Sequence, residues 1–255
     1  MESKYLQIIN IAKKAGENFK LNRNFDIKIK SDISNIVTSM DVETQEYIIK
    51  QLKEVYPTAI FFAEENDVRE LDNEYVFIID PIDGTTNYAY DYNMSCVSIA
   101  LLKNKEVIFG VVYNPYVDEC YYAIKGEGSF LNDNPIHVNN DDLASSLVLF
   151  GSSPYNKELL DETLDKVKEV FRHSRDIRRS GSAAIDLCNV AAGKASCYFE
   201  EILSPWDYAA GALIVKEAGG ICDTYKGENF TYEKRIPVYA CNPNNKEEFL
   251  NIIDK

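Results

Sequence analysis

Two aspartates lie three positions apart in the run DPIDGTTN at residues 80–87, which follows the apolar segment 75–79. Side chains that directly follow a buried strand are commonly presented to a cleft. Pro81 fixes its own φ and favours an extended Asp80, so both carboxylates and the Ile82 carbonyl can converge around a tight bend. Oxygen ligands of this kind suit magnesium or manganese better than zinc. The run therefore predicts a metal site.

The next residues of the same run are suited to binding an anion. Gly84 has no Cβ to obstruct an approaching ligand, and its amide and that of Thr85 can point at phosphate oxygens. The same residues are also common in tight turns, and a turn needs no ligand. No Lys or Arg occurs between Arg69 and Lys103. The clustered acids must therefore be neutralised by a metal or by a base from a distant part of the chain.

Three further acidic positions are candidates for the same cluster. Glu64 and Glu65 end the apolar run 59–63, Asp207 follows the only tryptophan, and Asp41 precedes a periodic segment. Each has a simpler explanation: solvated loop charges for the glutamates, helix capping or a dipole interaction for Asp207, and an N-cap for Asp41. None of these positions indicates a metal site by itself.

The elements that would position these residues follow from the apolar periodicity. In the first half it predicts helices over 1–19 and 42–56, strands over 59–63 and 75–79, and an antiparallel meander over 94–124. Beyond about residue 140 strands at 146–150, near 177 and at 196–200 alternate with helices at 157–172, 182–192 and 205–218. The change of pattern predicts two domains, residues 1–142 and residues 143–255.

Together these segments resemble the inositol monophosphatase family of magnesium-dependent, lithium-sensitive phosphatases. The matching motifs are IVTSMD at 36–41, AEE at 63–65, DPIDGTTN at 80–87, GSAA at 181–184 and WDYAAG at 206–211. They span nearly the whole chain. The resemblance implies an α/β fold of the layered α+β kind, an α/β/α/β/α sandwich with an antiparallel N-terminal sheet and a mixed C-terminal sheet. It also implies a homodimer.

The resemblance implies a metal centre of two or three Mg²⁺ ions, for which Mn²⁺ can substitute. The first ion would be held by Glu64, Asp80 and the Ile82 carbonyl, and the second by Asp80, Asp83 and Asp207. An activated water would attack a phosphomonoester directly, without a covalent phosphoenzyme.

Catalytic and substrate-binding roles also transfer by position. Thr85 and Asp41 would orient the water, with Glu64 as the third catalytic residue. The substrate contacts would be Gly84, Thr85, Ser182, Ala183 and Glu200. The chain departs from the family at Ala63, where a glycine is usual, and at Leu203-Ser204-Pro205. The first departure touches the loop that carries Glu64, the second touches the pocket near the leaving group, and neither removes a metal ligand.

Composition restricts the class of partner. A formal charge of -14 opposes nucleic acid, and it also requires that a phosphate site import positive charge. Six scattered cysteines form no zinc or disulfide pattern, which predicts reduced core residues. The N-terminal segment is an amphipathic helix pattern and no run is long and apolar enough to cross a membrane. These features predict a soluble, cytoplasmic protein. That it acts on a small phosphorylated metabolite is what the resemblance implies.

The substrate is less restricted than the reaction. The resemblance favours inositol 1-phosphate. The one basic cluster consists of Arg172, His173, Arg175, Arg178 and Arg179. A solvated strand edge is its simpler interpretation, and the alternative is an anchor for a second phosphate, as in fructose 1,6-bisphosphate, NADP or a nucleotide 3'-phosphate.

Other classes fit less well. The two histidines lack a nucleophile context, and no Rossmann or P-loop fingerprint is present. A regulatory protein that keeps this fold and acts through protein contacts remains an alternative, although the complete set of metal-binding acids argues against it. Tyr88, Tyr90 and Tyr92 follow the motif closely enough to line its entrance, and packing or capping of the sheet edge is the favoured role for them.

Overall fold

The computed structural model describes residues 2–30, 36–66 and 71–254. Met1, Arg69 and Lys255, which enter the predictions above, lie outside these ranges. The α-helices are α1 (Ser3–Leu21), α2 (Ser39–Val55), α3 (Thr85–Ala89), α4 (Leu160–His173), α5 (Ala183–Ala191), α6 (Pro205–Glu217) and α7 (Lys246–Ile253). Short 3-10 turns occupy Leu143–Ser145, Lys157–Leu159 and Pro243–Asn245.

Three β-sheets are present in the described residues. The strands are β1 (Ile27–Ile29), β2 (Ile36–Thr38), β3 (Ile60–Ala63), β4 (Tyr75–Asp83), β5 (Cys96–Lys103), β6 (Glu106–Asn114), β7 (Glu119–Ile124), β8 (Gly128–Leu131), β9 (Asn134–Ile136), β10 (Leu147–Phe150), β11 (Asp176–Arg178), β12 (Cys197–Leu203), β13 (Ile221–Asp223) and β14 (Ile236–Cys241). Strands β1 and β2 form a two-stranded antiparallel sheet.

The two large sheets are built from different parts of the chain. The seven-stranded sheet has the order β3-β4-β5-β6-β7-β8-β9, and only its β3–β4 pair is parallel. The five-stranded sheet has the order β11-β10-β12-β14-β13. Strand β10 runs parallel to β11 and β12, whereas β14 is antiparallel to both of its neighbours. An antiparallel first sheet, with one parallel pair, and a mixed second sheet are thus confirmed.

The layers follow from the alternation of side chains along each strand. Val111 and Tyr113 of β6 join the core beneath α1 and α2, whereas Val112 faces the core that contains α5 and α6. In the second sheet Tyr198 faces α5 and α6, whereas its neighbour Phe199 faces the core of α4 and α7. The order α/β/α/β/α is therefore confirmed, with α5 and α6 buried between the sheets.

Some element boundaries differ from the prediction. Helix α4 begins at Leu160 because residues Lys157–Leu159 form a tighter 3-10 turn. Strand β4 extends to Asp83, so the two aspartates lie inside its last four residues and not after it. Asp80 pairs with Ser98 and Asp83 with Cys96, with a register shift between them. The shift provides the bend that the sequence predicted for this run.

Other sequence-based expectations concern the chain as a whole. All six cysteines are buried and free. Among the described residues no helix is long and apolar enough to cross a bilayer. The sheets change between Ile136 and Leu147, which is where the boundary between residues 1–142 and 143–255 is proposed. One hydrophobic core nevertheless includes residues of both halves, such as Val112 and Ile214.

Candidate metal and phosphate site

A cavity of about 680 Å³ opens where β4, α5, α6 and β12 meet. Its lining includes ten of the predicted site residues: Glu64, Asp80, Ile82, Asp83, Gly84, Thr85, Ser182, Ala183, Glu200 and Asp207. Asp41 does not line it, and it reaches the cavity through a hydrogen bond with Thr85. The fold therefore brings together residues that are up to 143 positions apart, from Glu64 to Asp207.

Asp80, Asp83 and Asp207 form the centre of the site. Each offers a carboxylate oxygen, and these oxygens all lie within 4.8 Å of one another. Asp80 and Asp83 come from the end of β4, and Asp207 comes from the first turn of α6. The Ile82 amide donates to Asp80 Oδ1 (3.1 Å), which fixes that side chain against its own backbone.

Asp83 is held by the beginning of α5. Its Oδ2 accepts hydrogen bonds from the Ser182 hydroxyl (2.5 Å) and from the Ala184 amide (2.8 Å). Ser182 is also the N-cap of α5 and accepts from the Ile185 amide. A carboxylate at a helix N-terminus is favourably placed with respect to the helix dipole. The Ser182 hydroxyl, which was predicted to contact substrate, is thus bonded to a predicted metal ligand.

Asp41 and Asp207 occupy equivalent places in their helices. Each is the third residue of its helix and forms a capping box, with Thr38 as the N-cap of α2 and Ser204 as the N-cap of α6. The prediction that Asp41 is itself the N-cap is wrong, because the helix begins two residues earlier. Asp41 Oδ2 accepts from the Thr38 amide (2.7 Å), and Asp207 Oδ2 accepts from the Ser204 amide (2.6 Å).

Thr85 connects Asp41 to the end of β4. Its hydroxyl lies 2.9 Å from Asp41 Oδ1 and 3.1 Å from the Ile82 carbonyl oxygen. A hydroxyl has one proton and two acceptor lone pairs. Because both neighbours are acceptors, the proton is directed at one of them and the oxygen of Thr85 remains able to accept a hydrogen bond. Gly84 precedes it at φ +84, and a Cβ there would lie 2.8 Å from the Met94 carbonyl.

Glu64 is placed at the cavity but is paired with a lysine. Lys30 Nζ, at the end of β1, donates to Glu64 Oε1 (2.9 Å) and also to Glu65 Oε1. Glu64 does not belong to the group of mutually close ligand atoms formed by the three aspartates. Lys30 supplies the distant base that the local sequence lacks, and nothing in the motif pattern predicted it.

The electrostatics of the three aspartates reflect burial and mutual repulsion. Burial raises the pKa of Asp83 to about 6, despite the opposing bonds from Ser182 and Ala184. Burial raises the pKa of Asp80 further above its usual range, with added repulsion from Glu64, Asp83 and Asp207. The pKa of Asp207 is also well above its usual range, chiefly through burial and then through the charge of Asp83. Without a cation, the cluster is destabilised in its ionised form.

Two carboxyls next to the cluster are perturbed in the same direction. Burial raises the pKa of Asp41 to about 6, and its bonds with Thr38 and Thr85 only partly offset this. Burial, followed by the charge of Glu64, raises the pKa of Glu65 to about 7 although Lys30 opposes the shift. Buried acids with perturbed pKa values around one cavity are typical of a functional site.

Glu200 belongs to β12 and lines the same cavity. Its Oε1 accepts from the Ser153 amide (2.8 Å) and hydroxyl (3.2 Å), and its Oε2 accepts from the Tyr198 hydroxyl (2.8 Å). A Cβ on Gly151 would lie 1.8 Å from Oε2, so this glycine is needed for the carboxylate to fit. No sequence pattern indicates Ser153 or Gly151, because their role depends on a contact with another strand.

The arginines of the basic cluster have different surroundings in the structure. Arg172 pairs with Glu169 and Arg178 with Asp176, as expected for solvated charges. Arg179 instead lines the cavity and donates from Nε to the Ser152 hydroxyl (2.9 Å). A second arginine, Arg235, lies outside the basic cluster and also lines the cavity, and it donates to the Ser204 hydroxyl (3.1 Å). No carboxylate of the described residues lies within 4.0 Å of either guanidinium group.

The three tyrosines after the motif differ in burial. Tyr88 is fully buried and packs against Phe19 and Phe25, which confirms the packing role predicted for it. Packing is wrong for Tyr90 and Tyr92, which are 79% and 61% exposed. Tyr90 lines the cavity.

Comparison with known proteins gives a consistent result across the chain. The profile of the Inositol monophosphatase family matches residues 2–255. Inositol monophosphatase 2 of Solanum lycopersicum is 37% identical over 259 residues, covering 97% of this chain and 96% of that protein. The crystal structure of the extragenic suppressor protein suhB from Bartonella henselae superposes with a TM-score of 0.91 at 30% identity, covering 98% of both chains.

A third relative is known with a ligand. The crystal structure of SaIMPase-II with bound inositol monophosphate has a TM-score of 0.84 at 27% identity, covering 99% of this chain and 94% of that one. The same protein has also been solved with bound 2'AMP. The acidic cavity, the layered fold and the match over residues 2–255 lead to one conclusion: this chain belongs to the inositol monophosphatase family and is a phosphatase.

Proposed function

We propose that this protein hydrolyses a small phosphomonoester in a Mg²⁺-dependent reaction, with inositol 1-phosphate as the first substrate to test. The observation that carries the proposal is the group of three aspartates whose oxygens lie within 4.8 Å of one another in a cavity. A phosphate cannot approach three uncompensated carboxylates, because like charges repel. A bound cation removes this obstacle and attracts the phosphate.

The donor set fits Mg²⁺. Its groups are all oxygens, and among the described residues no histidine or cysteine belongs to the group of mutually close ligand atoms that the three aspartates form. Asp80, Asp83 and Asp207 would hold the ions, together with Glu64 and the Ile82 carbonyl, in a centre of two or three ions in which Mn²⁺ can replace Mg²⁺. When bound, the ions supply Lewis acidity and positive charge at the transferred phosphoryl group.

The residues of the chain orient the reactants. Thr85 can accept a hydrogen bond from a water molecule, because its own proton is directed at Asp41 or at the Ile82 carbonyl. Asp41 is kept in place by Thr38 at the start of α2, so Thr85 is oriented by a rigid helix end. Positioning of this kind is the main contribution of a protein to phosphoryl transfer. The water would attack phosphorus directly, in line with the leaving alcohol.

The wall formed by Glu200 supports an alcohol with several hydroxyls. An ionised carboxylate offers about four acceptor positions, and three on Glu200 are used by Ser153 and Tyr198. The remaining position can accept from a hydroxyl of the substrate. Ser182 and Ala183 line the same cavity. Inositol monophosphate is the ligand of SaIMPase-II, which favours the same substrate class here.

A second candidate is a substrate with two phosphate groups, such as fructose 1,6-bisphosphate, NADP or a nucleotide 3'-phosphate. The observation that favours it is the pair of arginines at the cavity, Arg179 and Arg235, neither of which has an acidic partner among the described residues. A guanidinium group binds phosphate oxygens in a bidentate manner. The bound 2'AMP of SaIMPase-II is a ligand of the nucleotide class.

Phosphate release is the measurement that tests both candidates. Inositol 1-phosphate, fructose 1,6-bisphosphate, NADP and adenosine 3',5'-bisphosphate would each be supplied with Mg²⁺, with EDTA and with added Li⁺. We expect release that requires Mg²⁺ and that Li⁺ suppresses. Preference for a bisphosphate that is lost in Arg179→Gln and Arg235→Gln, and kept in Arg172→Gln, would select the second candidate. Absence of release from every compound would contradict the proposal and favour a regulatory protein.

A further inference from the structure

The chain segment after strand β10 brings a tyrosine to the cavity. Tyr155 lines the cavity and is 46% exposed, so it can contact a bound molecule. Its hydroxyl forms no hydrogen bond with the described residues. By contrast, the hydroxyl of Tyr198 donates to Glu200, and that of Tyr225 donates to Glu201. The hydroxyl of Tyr155 is therefore available to a ligand.

A proline turn fixes the position of this tyrosine. Pro154 and Tyr155 are the two central residues of the turn, and the Asn156 amide closes it by donating to the Ser153 carbonyl (2.8 Å). Proline is favoured at the first central position of a turn because its φ is already set. The backbone of Tyr155 is therefore held in place before any ligand binds.

The first residue of the turn has an unusual backbone conformation. Ser153 has φ +40, in the left-handed region that residues other than glycine rarely occupy. Two hydrogen bonds with strand β12 hold it there: the Ser153 amide donates to Glu200 Oε1 (2.8 Å), and the Ile202 amide donates to Ser153 Oγ (3.2 Å). Residues in such conformations cluster at active sites and ligand contacts. The strain at Ser153 indicates that the turn has a functional role.

The charges that act on the Tyr155 hydroxyl are those of the candidate metal site. Burial raises the pKa of this hydroxyl, and four acids raise it further, in the order Glu64, Asp207, Asp83 and Asp80. These four acids are the proposed metal ligands. The hydroxyl senses their charge but bonds to none of them, which leaves space between it and the acids. Its raised pKa keeps the proton in place, so the hydroxyl is a donor at neutral pH.

A donor at this position matches the needs of a bound phosphate. A phosphate at the acid cluster requires donors for those of its oxygens that no cation contacts. A hydroxyl that keeps its proton is such a donor, and hydrogen bonds to charged oxygens are stronger than those between neutral groups. In phosphoryl transfer the charge of the transition state is spread over three oxygens of the transferred group. A donor held by a rigid turn stabilises that charge without reorganisation.

We propose that Tyr155 is a further catalytic residue, whose hydroxyl donates a hydrogen bond to an oxygen of the transferred phosphoryl group. The inference rests on the proposed phosphatase reaction. In that reaction a bond forms between phosphorus and the water oxygen, the bond from phosphorus to the alcohol oxygen breaks, and one proton of the water ends on the alcohol. Tyr155 keeps its own proton throughout and donates to the phosphoryl group in the transition state and in the phosphate product.

The first test is the kinetics of Tyr155→Phe with inositol 1-phosphate and Mg²⁺. The variant should lower kcat/KM by roughly 10- to 100-fold, the effect of one hydrogen bond to a charged group. Its Tm should be unchanged, because the hydroxyl has no partner in the folded chain. The control is Tyr92→Phe, at an exposed tyrosine that does not line the cavity, and it should match wild type.

The second test separates a contact with the phosphoryl group from other roles. Glycerol 2-phosphate has a different alcohol, so Tyr155→Phe should lower its kcat/KM by the same factor. The pH dependence of kcat/KM should keep its shape, since Tyr155 transfers no proton. A loss confined to inositol 1-phosphate would place the contact at the alcohol, and a lost limb of the pH profile would make Tyr155 a general acid or base. Either result would overturn the proposal.

The third test measures the binding of inorganic phosphate by isothermal titration calorimetry with Mg²⁺ present, independently of turnover. Tyr155→Phe should raise the Kd of phosphate by roughly 10-fold, and Tyr92→Phe should leave it unchanged. Equal Kd values in wild type and Tyr155→Phe, or no binding to wild type, would overturn the proposal. A wild type that hydrolyses no phosphomonoester, yet binds phosphate more tightly than Tyr155→Phe, would contradict the proposed function and leave the phosphate contact of Tyr155 in place.

Discussion

Two groups of buried carboxylates in this protein differ in how their charge is balanced. Glu201 accepts from Lys166 Nζ (3.1 Å) and from the Tyr225 hydroxyl (3.1 Å), so its counter-charge belongs to the chain. Its neighbour on the other face of β12, Glu200, and the three aspartates across the cavity have no lysine or arginine partner within 4.0 Å among the described residues.

The difference separates a structural from a functional arrangement of acids. A buried carboxylate with a lysine is satisfied when the chain folds, and removing either partner leaves an uncompensated charge. A buried cluster without a cation is satisfied only when one is supplied from solution. The same burial therefore stabilises the fold in one place and prepares a cation site in the other.

The largest effect that would test this comparison is on activity. Asp83→Asn should lower kcat/KM by at least about 1,000-fold, because it removes a proposed ligand at the reacting centre. The unfolding temperature in EDTA should be unchanged or higher, because one of three repelling charges is removed. Phosphate release and thermal unfolding would measure both quantities.

Glu201→Gln is the matched control for that variant. It should leave kcat/KM near the wild-type value and lower the free energy of unfolding by on the order of 2 kcal/mol, because Lys166 then keeps only Glu162. The comparison would be contradicted if Asp83→Asn unfolded the protein or if Glu201→Gln removed its activity.

The next effect is on metal-linked stability. At a Mg²⁺ concentration of one hundred times Kd, a cation that binds only the folded chain should stabilise it by about 2.7 kcal/mol. Thermal unfolding of wild type should therefore shift upward with Mg²⁺, whereas Asp83→Asn and Asp207→Asn should show little shift. Equal shifts in all three proteins would place the bound ion outside the aspartate cluster.

A smaller effect concerns Asp186, a buried acid of α5 whose Oδ1 has no hydrogen-bond partner. Burial raises the pKa of Asp186 well above its usual range in the folded state. Above the unfolded pKa of about 4, the folded protein then binds more protons than the unfolded chain, so stability falls as pH rises towards the folded pKa.

Asp186→Asn should remove this dependence. The free energy of unfolding of the variant relative to wild type should rise by up to about 1.4 kcal/mol per pH unit above pH ~4. Urea unfolding across a pH series would measure the difference, in which contributions from the other acids cancel. Parallel stability curves for the two proteins would contradict the prediction.

The smallest effect is on substrate affinity. Ser153→Ala removes one of two bonds from Ser153 to Glu200 and leaves the backbone amide bond in place. A net hydrogen bond of about 1 kcal/mol corresponds to roughly a fivefold loss in kcat/KM, expressed mainly in KM. Ser152→Ala, at the neighbouring serine that instead accepts from Arg179, serves as the control for inositol 1-phosphate. An effect confined to kcat would contradict a binding role for Glu200.

The fold was largely predictable because its signals are local. Strands β5, β6 and β7 show as three apolar runs separated by turn residues, and α6 begins at Pro205, as its sequence indicates. The start of α2 was misassigned, since Thr38 and Asp41 are both residues that cap helices. Only the hydrogen bonds between them decide that Thr38 is the N-cap and Asp41 the third helical residue.

The site was predictable only in part. Asp80, Asp83 and Asp207 belong to sequence motifs, so the sequence indicated them before any contact was known. Lys30 belongs to no motif, although it donates a hydrogen bond to Glu64, which lies 34 positions away in the sequence. Ser153 reaches Glu200 across 47 positions, and Arg235 reaches Ser204 across 31.

By itself the sequence predicted most helices and strands through short-range periodicity, and its motifs of adjacent residues resembled a known family, which implied the layered fold, the acids of the cluster and the phosphatase activity. Tertiary structure alone decided that the three aspartates converge within 4.8 Å, that Lys30 neutralises Glu64, and that Arg179, but not Arg172 or Arg178, reaches the cavity. The physical reason is that charge interactions act through space. Their strength depends on separation and burial, which a linear order of residues does not contain.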